Sequence, residues 1–221
     1  MVAETRSASP AWGRGRELLL AAARTLFAEQ GYTATRTRQI AERASVTEPM
    51  LFRHFGSKAQ LFAEAVLAPF EDYMTRYVTD WEHRPHGVLS PVQEARDFYR
   101  GLYDVLSEHR ELVKALIAAD VAQGPLAGSA PARPRLSVML ERFEQVIARE
   151  RDDRGFHRFN PAIQARLMFG LVLSVAVMDD WMFDNANHPD SDNLINEMAR
   201  ITIHGAYDRP GHPSWDNDVG D

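Results

Sequence analysis

Apolar residues recur along this chain three and four positions apart, and no stretch alternates convincingly, so the pattern predicts helices and no strand. From Arg16 onward, Leu19, Ala22, Ala23, Leu26 and Phe27 mark one face of a first helix, which Gly31 ends as a C′ glycine does. A second helix opens in Thr35-Arg-Thr-Arg-Gln39 and turns Ile40, Ala41 and Ala44 inward. Val46 plugs a tight turn, and Leu51, Phe52 and Phe55 hold a third helix, over about 48–55, against the second. Thr47 stands at its N-cap and Pro49 in its first turn, where a missing N–H and a fixed φ cost little. Two short helices across a tight turn are how a helix-turn-helix is written, and the outer face of the later one is left to enter a groove.

Ser57 caps a fourth helix that starts at Lys58 and carries Leu61, Phe62, Ala65, Val66, Phe70, Tyr73, Met74, Tyr77 and Trp81. Pro69 is expected to kink or break it. Pro85 and Gly87 make 83–90 a loop. A fifth helix holds Ala95, Phe98, Tyr99, Leu102, Val105 and Leu106, and a sixth holds Leu112, Val113, Leu116, Ile117 and Val121. After a Gly/Pro/Ser/Ala loop at about 124–134, a seventh carries Leu136, Met139, Leu140, Phe143, Val146 and Ile147. The helix from about Pro161 to Phe183 is apolar around its whole circumference, so it is buried on more than one side. A last helix, about Ser191 to Tyr207, aligns Leu194, Ile195, Met198, Ile201, Thr202 and Gly205. The expectation is an all-α protein of about nine helices. Residues 1–15 are a flexible arm, 16–60 the helix-turn-helix domain, 61–209 a larger helical domain and 210–221 a disordered tail.

With 45% hydrophobic residues, the 221-residue chain can bury a real core. It has no cysteine, which excludes disulfides and thiolate metal sites and fits a reducing cytoplasm. The first fifteen residues lack an apolar signal segment, and the run Met168–Met178 is broken by Gly170 and Ser174 and is too short for a bilayer. A soluble protein with no membrane role is expected. The net charge of −6 is unevenly divided: residues 1–60 hold nine Lys/Arg against five Asp/Glu, and residues 61–221 hold sixteen against twenty-six. A basic end can neutralise phosphates, while the acidic remainder limits indiscriminate adhesion to DNA.

Enzyme signatures are missing: there is no Walker loop, nucleophile elbow, His-Glu-x-x-His or glycine-rich Rossmann turn. His83-x-x-His86 falls in a Pro/Gly surface loop, and Asp190-Ser-Asp-Asn lacks the glycine and closing glutamate of a calcium loop, so neither metal nor cofactor is expected. The adjacent Asp179 and Asp180 cannot share a helix face as an acid/base pair; one is expected at a dimer seam or beside a cationic effector.

The run Ala22-Ala-Arg-Thr-Leu-Phe-Ala-Glu-Gln-Gly-Tyr32, then Thr35, Ile40-Ala41, Ala44, Val46-Thr47 and Leu51-Phe-Arg-His-Phe-Gly-Ser-Lys58 before Leu61, resembles the tetracycline-repressor (TetR) family of bacterial transcriptional regulators. Beyond residue 61 only the layout is similar. The resemblance implies a cytoplasmic, nucleoid-associated homodimer that places the helix of about 48–55 in the major groove of each half of a palindromic operator and is released by a small-molecule effector. Helical protein-interaction module and enzyme are the alternative classes. Positions matching the family's DNA contacts are Thr35, Arg36, Arg38, Thr47, Glu48, Pro49, Met50, Phe52, Arg53, His54 and Lys58. Lys58 and Arg38 suit phosphates; Arg53 suits either a guanine edge or a phosphate; Met50 suits a thymine methyl; Glu48 either accepts from cytosine or favours the helix dipole. Arg6, Arg14 and Arg16 are further candidates for backbone or minor groove.

Phe52 stands where the family usually has tyrosine, Pro49 where glycine is frequent, and Ser45 where the turn glycine is usual. A turn needing φ > 0 strains Ser45. Arg36 takes the slot of a capping Ser or Thr, leaving Thr35 or Thr37 to cap the second helix. In the larger domain, Phe98, Leu102, Met139, Phe143, Met168 and Phe169 have the spacing of an effector pocket and equally that of ordinary core. Gly170, Ser174, Met178, Trp181, Met198, Ile201 and Gly205 are expected at a two-fold seam built from the last two helices.

Overall fold

The three- and four-residue spacing becomes ten helices in the computed structural model, which describes residues 10–85, 87–123, 131–155, 159–183 and 188–206. They are α1 (Pro10–Ala34), α2 (Thr37–Arg43), α3 (Glu48–Phe55), α4 (Lys58–His83), α5 (Pro91–Glu108), α6 (Arg110–Gln123), α7 (Ala132–Arg154), α8 (Pro161–Val177), α9 (Asp179–Met182) and α10 (Ser191–Ala206). No strand occurs among the described residues. The expected arm is already helical from Pro10; residues 1–9 and the tail from residue 207 lie outside the description.

The head is a small core of Leu19, Ala23 and Phe27 from α1, Ile40 and Ala41 from α2, Leu51 and Phe55 from α3, and Leu61 and Phe62 from α4, all buried. Its turn is closed by hydrogen bonds. Ser45 N–H donates to Glu42 O at 3.1 Å and Val46 N–H to Ala41 O at 3.0 Å, the paired bonds of a Schellman ending. Ser45 takes the left-handed φ of 55° that this ending requires, so the strain expected there is real. Arg36 is the N-cap residue of α2 but its side chain makes no cap bond; Gln39 Oε1 instead reaches back to the Arg36 N–H at 3.0 Å. Neither Thr35 nor Thr37 takes the N-cap position, and each hydroxyl is used elsewhere. Gly56, at φ 74°, lets the chain leave α3 for Ser57, which caps α4 by accepting from Gln60 N–H at 3.1 Å.

Helix α4 runs unbroken through Pro69. The proline removes the N–H that would serve the carbonyl of Ala65, and Arg24 of α1 supplies another donor, its Nε–H, at 3.2 Å. Helix α4 thereby ties the head to the body. In the body, α4 packs on α7 and α5, α5 on α8 and α10, and α7 on α8, while α6 lies against α1. Phe98 of α5 and Phe143 of α7 stack at the centre with ring centroids 4.1 Å apart. The long helix expected over 161–183 divides at Met178 (φ −102°, ψ 19°). Asp179, buried at the break, accepts from Arg110 at 3.1 Å and pairs with His188 Nε2 at 2.6 Å. Such partners stabilise a carboxylate that otherwise would not leave water.

Candidate nucleic-acid interface

Helix α3 sorts its residues onto two faces. Leu51 and Phe55, four apart, are buried in the head, whereas Pro49, Phe52 and Arg53 are exposed and Glu48, Met50 and His54 half-buried. Phe52, expected to help hold α3 against α2, is 43% exposed because it stands about 100° round the helix from Leu51. Thr47 is exposed at the N-cap, and its hydroxyl makes no cap bond. The first turn of α3 is thus both open and cationic-dipolar, the arrangement that favours an anion.

Several candidates have partners within the protein. Thr35 is buried, and its hydroxyl lies 2.8 Å from Gly31 O and 3.1 Å from Leu26 O, so its side chain closes α1 and is corrected from a DNA contact to a structural one. The Thr37 hydroxyl donates to Glu48 Oε1 at 2.5 Å, which turns that carboxylate toward the start of α2. Glu48 therefore joins two helix starts and favours the α3 dipole. Arg38 is exposed and pairs with Glu42 at 2.8 Å along α2, while Arg36 is exposed at the helix start. Lys58 Nζ lies 4.4 Å from the centroid of the Tyr32 ring, and burial lowers its pKa. That ring stacks into Phe62 and Phe27, so the ammonium sits at the edge of the aromatic core.

The N-terminal turns of α1 add a contact that sequence periodicity did not signal. Gly15 is buried, and a Cβ built on it would meet Met50 Cε at 2.8 Å. Met50 therefore lies back against α1, which reduces the apolar surface expected for a thymine methyl. Arg16 pairs with Glu64 and lies 5.3 Å from the Phe55 ring centroid, a structural position in place of a backbone contact. Arg14 is exposed, and Arg6 lies outside the described residues. His54 is pushed below its ordinary pKa, first by burial and then by Arg16 and Arg53.

The family model for bacterial regulatory proteins of the tetR family matches residues 19–65, the segment that builds this head. The head is that of a tetR-family regulator. The repressor KstR2 of Mycolicibacterium smegmatis is similar at 27% identity, over 93% of this chain and 84% of that protein. The activator FasR of the same organism is 45% identical, over 50% of this chain and 48% of that protein. Among solved structures, the transcriptional regulator FadR of Bacillus subtilis in complex with stearoyl-CoA shares the fold at a TM-score of 0.66 and 15% identity, over 86% of this chain and 98% of that one. With this tetR-type head, the chain is a DNA-binding transcriptional regulator.

The body of the tetR-family fold holds a cavity of about 80 Å³ among α4, α5, α7, α8 and α10. Of the six residues expected at an effector pocket, Phe143 and Met168 line it. Phe98 and Leu102 are buried in the core, Phe169 is half-buried against it, and Met139 lines an open groove between α4 and α7. Periodicity missed Tyr77, Trp81, Glu94 and Glu150, which line the cavity from three separate helices.

The residues expected at a two-fold seam differ in exposure. Gly170, Met178, Trp181 and Ile201 are exposed and Ser174 half-buried, but Met198 is 4% exposed and belongs to the monomer core. Gly205 lies near the end of α10, and its burial is outside the description. Ile163 and Leu167 extend the exposed stripe along α8 at 57% and 63% exposure. His83 Nδ1 lies 2.7 Å from Thr79 O within α4, and His86 is outside the described residues. No described helix is long and apolar enough to cross a membrane.

Proposed function

We propose that this protein is a repressor that binds a palindromic operator as a homodimer at the bacterial nucleoid, in the cytoplasm, and leaves it when a small molecule occupies the body. The carrying observation is the division of α3: Leu51 and Phe55 anchor it, and Pro49, Phe52 and Arg53 face outward. A long cation on the outer face can grip a guanine edge or a phosphate, and Phe52 can meet a thymine methyl. Thr47 and the open α3 N–H groups suit a phosphate, as do Arg36, Arg38 and Lys58 beside it.

The exposed apolar stripe of Ile163, Leu167, Met178, Trp181 and Ile201 supports a dimer, in which a second copy would cover it. Two heads held on one seam must stand roughly 34–36 Å apart to enter successive major grooves. A ligand between α4 and its neighbours changes that separation, because α4 continues into the head. The repressor named among the relatives supports the direction of control. The activator FasR supports the opposite sign, which run-off transcription from the selected site distinguishes.

Selection of bound sequences from random duplex DNA by the purified protein, at two salt concentrations, tests the reading. A palindrome whose binding weakens steeply with salt is expected. No enrichment overturns operator binding.

A further inference from the structure

The body cavity is apolar along its walls and acidic at one end. Tyr77, Trp81, Phe143 and Met168 line the walls, and Glu94 of α5 and Glu150 of α7 line the end. One guanidinium serves both carboxylates: Arg154 donates to Glu94 at 2.9 Å and to Glu150 at 2.5 Å, and also reaches Leu89 O at 3.3 Å. The nearby Arg84 stands 3.9 Å from Asp97. The Trp81 indole N–H donates to Glu150 at 3.0 Å, which fixes the ring beside the acids. Tyr77 lines the same space, burial raises the pKa of its phenol, and its hydroxyl makes no hydrogen bond among the described residues.

These features fit one kind of occupant. A positive charge would complete the neutralisation of the two carboxylates, an ammonium N–H would give the Tyr77 oxygen a donor, and an apolar body would lie on the aromatic walls. At about 80 Å³ the space admits only a few heavy atoms, since a cavity of about 150 Å³ is what holds one benzene ring. We propose that this cavity binds a small organic ammonium ion with a short aliphatic body, and that this ion is the effector; the second statement rests on the repressor reading above. A fatty-acid carboxylate would meet the acidic end and be repelled.

Proton linkage gives the site a signature. Glu94 is pushed up to about 7, first by burial and then by Glu150, against the pull of Arg154 and Arg84. Tyr77 on α4, Asp97 on α5, and Glu150 and Arg154 on α7 are the titratable and charged groups around it with Arg84; the lining residues of α8 and α10, Gln164, Met168, Thr202 and Ile203, carry no charge. A cation arriving near neutral pH favours the carboxylate, so binding releases a proton from Glu94 and tightens as pH rises from about 6 to about 8.

Calorimetric titration of the DNA-free full chain with n-propylammonium, neutral 1-propanol and anionic butyrate tests the proposal. The ammonium is expected to saturate one site per chain about tenfold tighter than the alcohol, with proton release in buffers of different ionisation heat, and the carboxylate to bind no better than the alcohol. Glu94→Gln and Glu150→Gln keep the shape and an acceptor for Arg154 or Trp81; each is expected to weaken the ammonium about tenfold with unchanged cooperative unfolding, and Glu94→Gln to abolish the proton release. Absence of ammonium binding, equal binding of all three probes, or variants that bind as the wild type overturn the cavity assignment. Repeating the titration with the selected operator separates the two readings. Binding without release of DNA overturns the effector role alone, and loss of operator binding without any ligand overturns the repressor reading alone.

Discussion

Arg24 of α1 donates its Nε–H to the carbonyl of Ala65 at 3.2 Å, the carbonyl that Pro69 leaves without its helical donor. The bond explains how α4 continues through a proline and why head and body are joined at this point. Arg24→Leu is expected to cost about 1–2 kcal/mol by leaving that carbonyl poorly satisfied. In a Pro69→Ala background the restored N–H serves Ala65, and the same substitution should cost distinctly less. A double-mutant cycle by chemical denaturation measures the difference; an equal cost in both backgrounds rules out the compensation.

Ser45 holds a φ of 55° in the turn between α2 and α3. A left-handed non-glycine residue costs roughly 1–2 kcal/mol, and glycine returns about 0.5–1 of that through its freer unfolded chain. Ser45→Gly is therefore expected to stabilise the protein by about 0.5–1 kcal/mol, read as a higher denaturation midpoint with unchanged slope.

Arg53 and Lys58 differ in setting, one exposed on the outer face of α3 and the other over the Tyr32 ring. Arg53→Ala should relax preference at one or two base pairs of each half-site, with a loss of about 1–3 kcal/mol on the best sequence. Lys58→Ala should weaken all sequences alike and lower the salt slope by about one. Binding measured on the selected palindrome and on single-base variants decides; an even loss on every sequence for Arg53→Ala removes its base-reading role.

Leu167 and Trp181 are 63% and 86% exposed on the apolar stripe of α8 and α9. Leu167→Glu leaves the monomer core untouched, so its stability should change by no more than about 0.5 kcal/mol, while the dimer dissociates and operator affinity falls with it. Sedimentation velocity reports the mass. A dimer that survives both Leu167→Glu and Trp181→Glu places the seam elsewhere.

Local periodicity and caps were enough to place most of the helices, though not the break at Met178 or the start of α1 at Pro10: Leu51 and Phe55 face inward, Ser57 caps α4, and Ser45 carries the turn's strain. Local pattern could not decide which partner a face meets. Thr35 resembles a DNA-contacting residue until its hydroxyl is seen against Gly31 and Leu26, and Pro69 reads as a break until Arg24 arrives from another helix. Met198 and Leu167 are both apolar on helices that run beside the same core, yet one is 4% and the other 63% exposed. Only tertiary packing sets such differences, because burial belongs to the space between elements and two apolar stripes of one helix look alike until a neighbour covers one. The cavity follows the same rule: Tyr77, Glu94 and Glu150 are distant in the chain, and their shared chemistry exists only where α4, α5 and α7 converge.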